Sequence, residues 1–133
     1  YTPDEARRLA DLQRRGLIPY EKLPVLYVLG RYTTDQTSRP ADLLPFLVED
    51  MPRFDPWSLC AFGPQEAACV TAAALLGGHA RVGFENNLAL PDGRPAAANA
   101  ELVGAAAHAL GALGLETQTA EGLREEVAAA MGW

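Results

Sequence analysis

Three short apolar runs punctuate the chain, with helical patterns between them. PVLYVLG at residues 24–30 is apolar at nearly every position, rich in β-branched and aromatic side chains, and ended by glycine, which predicts a buried strand. WSLCAFG at 57–63 repeats the pattern, and ARVGFE at 80–85 predicts a third strand. Between the first two, Pro40 opens a helical pattern with Leu43, Leu44, Leu47 and Val48 at spacings of three and four, closing near Met51 and Pro52. Residues 64–77 are alanine-rich and favour helix. The order βαβαβ implies a parallel sheet with its strands buried on both faces.

The flanks read as helices. Thr2, Pro3 and Glu5 stand where a capping residue, a first helical residue and its reciprocal acid belong, so a helix through about Gly16 is expected. Pro91, Asp92 and Gly93 signal a turn. Asn99 is the expected cap of an amphipathic helix carrying Leu102, Val103, Leu110 and Leu113, and Thr119 that of a last helix reaching about Met131. No repeat, low-complexity tract or linker divides the chain.

Composition narrows the function classes. At 133 residues and 49% hydrophobic, the chain is long enough for a single domain over 1–133 with a real core. A formal charge of −6 argues against a nucleic-acid backbone as partner, because binding there needs a basic face. Small molecules or proteins are the expected partners. No apolar run approaches the roughly 20 residues of a membrane span and no secretory signal pattern opens the chain, so a cytoplasmic location without membrane attachment is expected. Tyr1 begins the sequence and methionine occurs only at 51 and 131, which raises the expectation of a processed or partial chain. Cys60 and Cys69 lack CxxC spacing and nearby histidines, so both read as small core residues.

Candidate chemistry gathers on the third predicted strand. Alternation puts Arg81, Gly83 and Glu85 on one face and Val82, Phe84 and Asn86 on the other, the apolar pair toward covering helices. In a regular strand Arg81 and Glu85 would stand about 13 Å apart. Glu85 falls at the carboxyl end, where parallel α/β folds build their sites, and a buried carboxylate there needs a partner. Two readings stay open on spacing alone. One is structural, an ion pair with Arg81 or a loop position after the strand; the other makes Glu85 a metal ligand or an acid/base. Arg31, following the first strand, is a smaller candidate for a substrate carboxylate or a CoA phosphate, against an ordinary exposed loop role. The polar loop 33–40 could line a pocket mouth. Ser58 and Cys60 share a strand face with Phe62, but no base is visible for either as a nucleophile.

GGHARVGFENNLALPDG at 77–93, with the following NAEL at 99–102, resembles the carboxyl-terminal signature of the β-keto acid cleavage enzymes. RRGLIPYEKLPVLYVLG resembles that family's sixth barrel strand with its preceding helix, and PWSLCAFG its seventh. The resemblance runs from about Arg15 to Trp133. It implies a zinc-dependent (β/α)₈ TIM barrel, of which this chain would be the carboxyl-terminal part: about three βα units plus terminal helices. It further implies conversion of a β-keto acid and acetyl-CoA to acetoacetate and a new acyl-CoA, and a homo-oligomer. The family's zinc is held by two histidines of an early strand and the glutamate of the last, which lands on Glu85; the zinc polarises the keto carbonyl. The family arginine falls on Arg81, supporting developing negative charge.

Two departures accompany the resemblance. The residue after the family glutamate is commonly an aspartate, and here it is Asn86, which cannot accept a proton as a carboxylate does. Asn86 retains a role in orienting substrate, or in capping the loop after the strand. The second departure is length: such a barrel typically takes about 250 residues and eight strands, against three predicted here. Neither His79, before the strand, nor His108, within a late helix, replaces the two zinc histidines. A non-catalytic partial barrel acting in assembly, either of copies of itself or with the remainder of the barrel, is therefore an alternative reading. So is another metal-dependent carbon–carbon lyase on the same scaffold.

Overall fold

A computed structural model describes residues 1–131. Helix α1 (Pro3–Arg14) starts as its sequence predicts. The Thr2 hydroxyl accepts from the Glu5 backbone N–H at 3.2 Å and the Glu5 carboxylate accepts from the Thr2 backbone N–H at 2.8 Å. Strand β1 (Val25–Leu29), a 3₁₀ segment (Pro40–Phe46), strand β2 (Trp57–Ala61), helix α2 (Glu66–Leu75) and strand β3 (His79–Ala80) follow. The three strands are parallel in the order β1-β2-β3, with Val25 opposite Trp57 and Ser58 opposite His79. Helices α3 (Asn99–Ala112) and α4 (Ala120–Met131) follow.

The expected α/β class and parallel order are present, and three details differ. The first crossover is a 3₁₀ segment, because Pro45 inside it can donate no backbone hydrogen bond to an α ladder. The third strand is two residues long instead of extending over 80–85. Gly83 leaves the pleat with φ +154°, and the chain closes into a turn in which Asn86 and Asn87 both donate their backbone N–H to the Gly83 carbonyl. Finally, Asn99 is the first helical residue, after Ala98, and does not cap α3 with its side chain. The sheet is open and three-stranded among the described residues, so the closed barrel implied by the resemblance is not seen in them.

The core lies between the sheet and its helices. Tyr27, Leu29, Leu59 and Ala61 from the strands meet Leu43 and Phe46 of the 3₁₀ segment and Cys69 and Ala73 of α2. Leu59 and Leu43 are wholly buried. Tyr27 stacks obliquely on Phe46 at 4.8 Å and on Trp57 at 5.6 Å between centroids. Cys60 and Cys69 are buried free thiols, matching the reading of both as core residues, and burial pushes each above its ordinary pKa. The other sheet face is more open, with Leu26 37% exposed. A cavity of about 930 Å³ opens there by the amino ends of the strands, lined by Leu26, Ser58, Ala80 and, from α4, Leu123 and Val127.

Candidate functional site

At the carboxyl ends of the strands a cleft of about 530 Å³ is bounded by the segments after β1, β2 and β3. Arg31 and the polar loop with Asp35 and Gln36 form one side, Phe62 and Gly63 the next, and residues 84–89 the third. The expectation that loop 33–40 lines a pocket mouth is met by Asp35 and Gln36. That loop is fixed from within: the Thr33 hydroxyl donates to the Gly30 carbonyl at 2.9 Å, and Ser38 donates to the Phe62 carbonyl at 2.8 Å. Gly30 is obligatory there, since its φ is +82° and a Cβ would stand 2.8 Å from the Thr37 carbonyl oxygen. Arg31 lies over the Phe62 ring, 5.6 Å from its centroid, so the guanidinium is held by cation–π attraction at the cleft edge.

Arg81 and Glu85 meet directly, Nη2 to Oε2. The regular-strand separation of about 13 Å does not occur, because the turn at 83–86 folds Glu85 back onto Arg81. Of the two readings left open, the ion pair is present; Glu85 is not buried, its side chain being 75% exposed. Arg81 is intermediate and also approaches the Cys60 thiol, Nη1 to Sγ 4.0 Å. It therefore shares a sheet face with Cys60, on the side away from α2.

The residue that sequence reasoning missed is Glu66. It is the first residue of α2, only 2% exposed, and it accepts hydrogen bonds from Asn86 Nδ2 at 2.7 Å, Asn87 Nδ2 at 2.9 Å and the Gly83 N–H at 3.4 Å. Desolvation raises its pKa above the ordinary glutamate value, while the hydrogen bonds from Asn87, Gly83 and Asn86 pull the other way. Asn86 is buried and its amide meets α2 at Glu66, but the alternation that placed Val82, Phe84 and Asn86 together on a helix-facing strand face does not hold, since the strand ends at Ala80 and Phe84 is 41% exposed. Its Nδ2 also donates to the Ala61 carbonyl at 2.9 Å, and its Oδ1 is buried without a partner. Asn87 makes a local turn, accepting from Ala89 N at 2.9 Å and donating to Ala89 O at 2.8 Å. The only sequence signal for Glu66 was an acid at the start of an otherwise apolar alanine-rich segment.

Donor chemistry bears on a metal in a limited way. Glu85 offers an accessible carboxylate whose hydrogen bond to Arg81 uses Oε2, so it suits the role of one hard oxygen ligand. Among the described residues no three His, Cys, Asp or Glu side chains gather as a metal-holding group. His79 is engaged elsewhere, Nε2 to Glu126 Oε1 at 3.0 Å, and His108 is exposed on α3, in keeping with the structural or exposed roles expected of them. None of the described helices is long and apolar enough to cross a membrane.

Comparison with known proteins places the chain in a family. The model of the beta-keto acid cleavage enzyme family matches residues 1–128. A 3-keto-5-aminohexanoate cleavage enzyme of Fusobacterium nucleatum is 33% identical over 113 residues, covering 85% of this chain and 40% of the relative. A second protein of that name, from Acetoanaerobium sticklandii, is 37% identical over 67 residues, covering 50% of this chain and 24% of the relative. The chain thus spans less than half the length of either relative.

Proposed function

The chain belongs to the beta-keto acid cleavage enzyme family, and we propose that its carboxyl-end cleft supplies part of an active site in which a β-keto acid and acetyl-CoA yield acetoacetate and a new acyl-CoA. The observation that carries the reading is the Arg81–Glu85 pair at the carboxyl end of a parallel sheet in a chain of this family. The remaining strands of a (β/α)₈ TIM barrel would come from residues outside this chain, as would the other ligands of a zinc ion.

In this reading Glu85 is one oxygen ligand of the zinc, which when bound supplies Lewis-acid polarisation of a carbonyl. Arg81 is a permanent cation beside it, suited to holding a substrate carboxylate or the negative charge that grows on a carbonyl oxygen. Arg31, stacked on Phe62 across the cleft, is available to an anionic group such as a carboxylate or a CoA phosphate. Asn86 cannot serve as the base, since an amide does not take up a proton as a carboxylate does, and its Nδ2 is committed to Ala61 and Glu66. Its part is to fix the turn that presents Glu85.

The test combines the purified chain with a separately produced amino-terminal segment of the Fusobacterium nucleatum relative, adds zinc, acetyl-CoA and a β-keto acid, and measures acetoacetate. Formation that disappears with Arg81→Ala supports the reading; none with any of a panel of acidic, neutral and amino-bearing keto acids counts against it. A second reading, a non-catalytic partial barrel that associates through its open sheet face, draws on the exposure of Leu26 and the adjoining apolar cavity. A defined oligomer of the chain alone, containing no zinc and active in no combination, favours that one.

A further inference from the structure

All three donors that meet the Glu66 carboxylate come from the turn carrying Glu85. They are the backbone N–H of Gly83 and the side-chain amides of Asn86 and Asn87. We propose that Glu66 is a positioning residue, an anionic peg on α2 that fixes residues 83–87 and so sets where Glu85 stands at the cleft and meets Arg81. A carboxylate this deeply buried is costly unless its oxygens are hydrogen-bonded, and here both are, Oε1 by Asn86 and Gly83, Oε2 by Asn87. The match in polarity is complete: an ionised carboxylate only accepts, and each partner presents a donor.

The two asparagines extend the peg to the rest of the site. Asn86 Nδ2 is shared between Glu66 and the carbonyl of Ala61, so it ties the turn to the end of β2 as well as to α2. Asn87 Nδ2 is shared between Glu66 and the carbonyl of Ala89, tying the turn to the segment that follows. The Asn86 amide keeps this orientation although its own Oδ1 is left buried and unpaired, which marks the two acceptors as the groups that fix it. The position of Glu66 in the first turn of α2, where the helix favours negative charge, adds to the same effect. Glu85 is too exposed for packing to hold it, and the backbone of its turn is anchored chiefly through its neighbours.

The functional weight of this peg rests on the proposed cleavage reading; the peg itself does not, and the two fail separately. The experiment is amide hydrogen exchange and side-chain amide NMR on the full chain and on Glu66→Gln. Replacing a two-oxygen acceptor by a carboxamide sets one donor against a donor. Exchange at Gly83, Asn86 and Asn87 should speed up by about tenfold, the Asn86 and Asn87 Nδ2 proton signals should shift, and the β2 amides of Leu59 and Ala61 should keep their protection. The double variant Glu66→Gln with Asn87→Asp sets an acceptor against the new carboxamide donor, giving up only the bond to the Ala89 carbonyl, and should restore protection at Gly83 and Asn86, a rescue that lost packing would not give. If Glu66→Gln does not fold, Glu66→Asp keeps the charge and should show the same local pattern. Unchanged Nδ2 signals, acceleration spread equally over β2, or no rescue by the double variant overturns the proposal. A loosened, rescuable turn in a chain that makes no acetoacetate when combined with the relative's segment upholds the peg and sinks only the cleavage reading.

Discussion

The Asn99 side-chain oxygen accepts a hydrogen bond from the Phe84 backbone N–H at 2.9 Å, so the first residue of α3 pins the turn immediately before Glu85. Asn99 thus serves the site instead of its own helix. Asn99→Ala removes the acceptor but leaves a largely exposed N–H that water can satisfy, so the expected loss of stability is about 1 kcal/mol. Asn99→Asp keeps the acceptor and should stay near wild type. Urea unfolding of the two variants, with exchange at the Phe84 amide, separates them; equal losses in both would deny the hydrogen bond its role.

Gly83 is the second constraint on that turn. Its φ of +154° is rarely adopted by other residues, and a Cβ there would stand 3.0 Å from Asn99 Oδ1. Gly83→Ala should therefore destabilise by about 2 kcal/mol, from backbone strain together with the crowding. Because part of the penalty is contact with Asn99, the substitution should cost less in an Asn99→Ala background. A thermal or urea double-mutant cycle that is strictly additive would assign the whole effect to the backbone.

The two faces of the sheet differ enough to be told apart by equivalent truncations. Leu59 is wholly buried, on the central strand and within the core between strands and helices. Leu59→Ala should cost about 2–5 kcal/mol, a transfer loss plus a cavity. Leu26→Ala, on the half-open face, removes side chain already 37% exposed and should cost under about 1 kcal/mol in the isolated chain. A large loss for Leu26→Ala, measured together with sedimentation, would mean that this face is covered in solution by another copy.

What the sequence made legible follows from the range of the forces involved. Strands β1 and β2, the start of α1 and the Thr119 cap, whose hydroxyl accepts from the Gly122 N–H at 3.1 Å, rest on patterns local to a few residues, and each was readable. The pairing of Arg81 with Glu85 was readable only as one of two options, because alternation assumes a strand that Gly83 ends after Ala80. Asn99 looked like a helix cap because nothing local shows that Phe84, fifteen residues earlier, has the competing donor. Glu66 escaped for the same reason: its partners are seventeen and more residues away, and an acid at a helix start is usually solvated.

Burial of Glu66 makes stability depend on pH in a definite direction. Its folded pKa is raised above the ordinary 4.5 by desolvation, so the folded chain holds the proton more tightly than the unfolded one. Its contribution is fully present below pH 4.5 and is lost as the pH rises from there through the raised value. Glu66→Gln has no such proton, so wild-type stability relative to the variant should decline over that window and level off above it. Urea unfolding of both proteins from acid to neutral pH checks the sign; a relative gain with rising pH would mean that the hydrogen bonds from Asn86, Asn87 and Gly83 outweigh desolvation.

The Arg81–Glu85 pair offers the sharpest separation of stability from function. Glu85 is mostly in water and Arg81 partly so, and exposed ion pairs are worth under about 1 kcal/mol because solvent screens them and two side chains must be ordered. Glu85→Ala and Arg81→Ala should therefore unfold within about 1 kcal/mol of wild type. In the chain combined with the relative's amino-terminal segment, Glu85→Ala should abolish zinc retention after dialysis. Arg81→Ala should keep the metal and lose acetoacetate production. A Glu85→Ala sample that binds zinc as wild type does would remove Glu85 from the ligand set and leave the pair as a structural clasp on the turn.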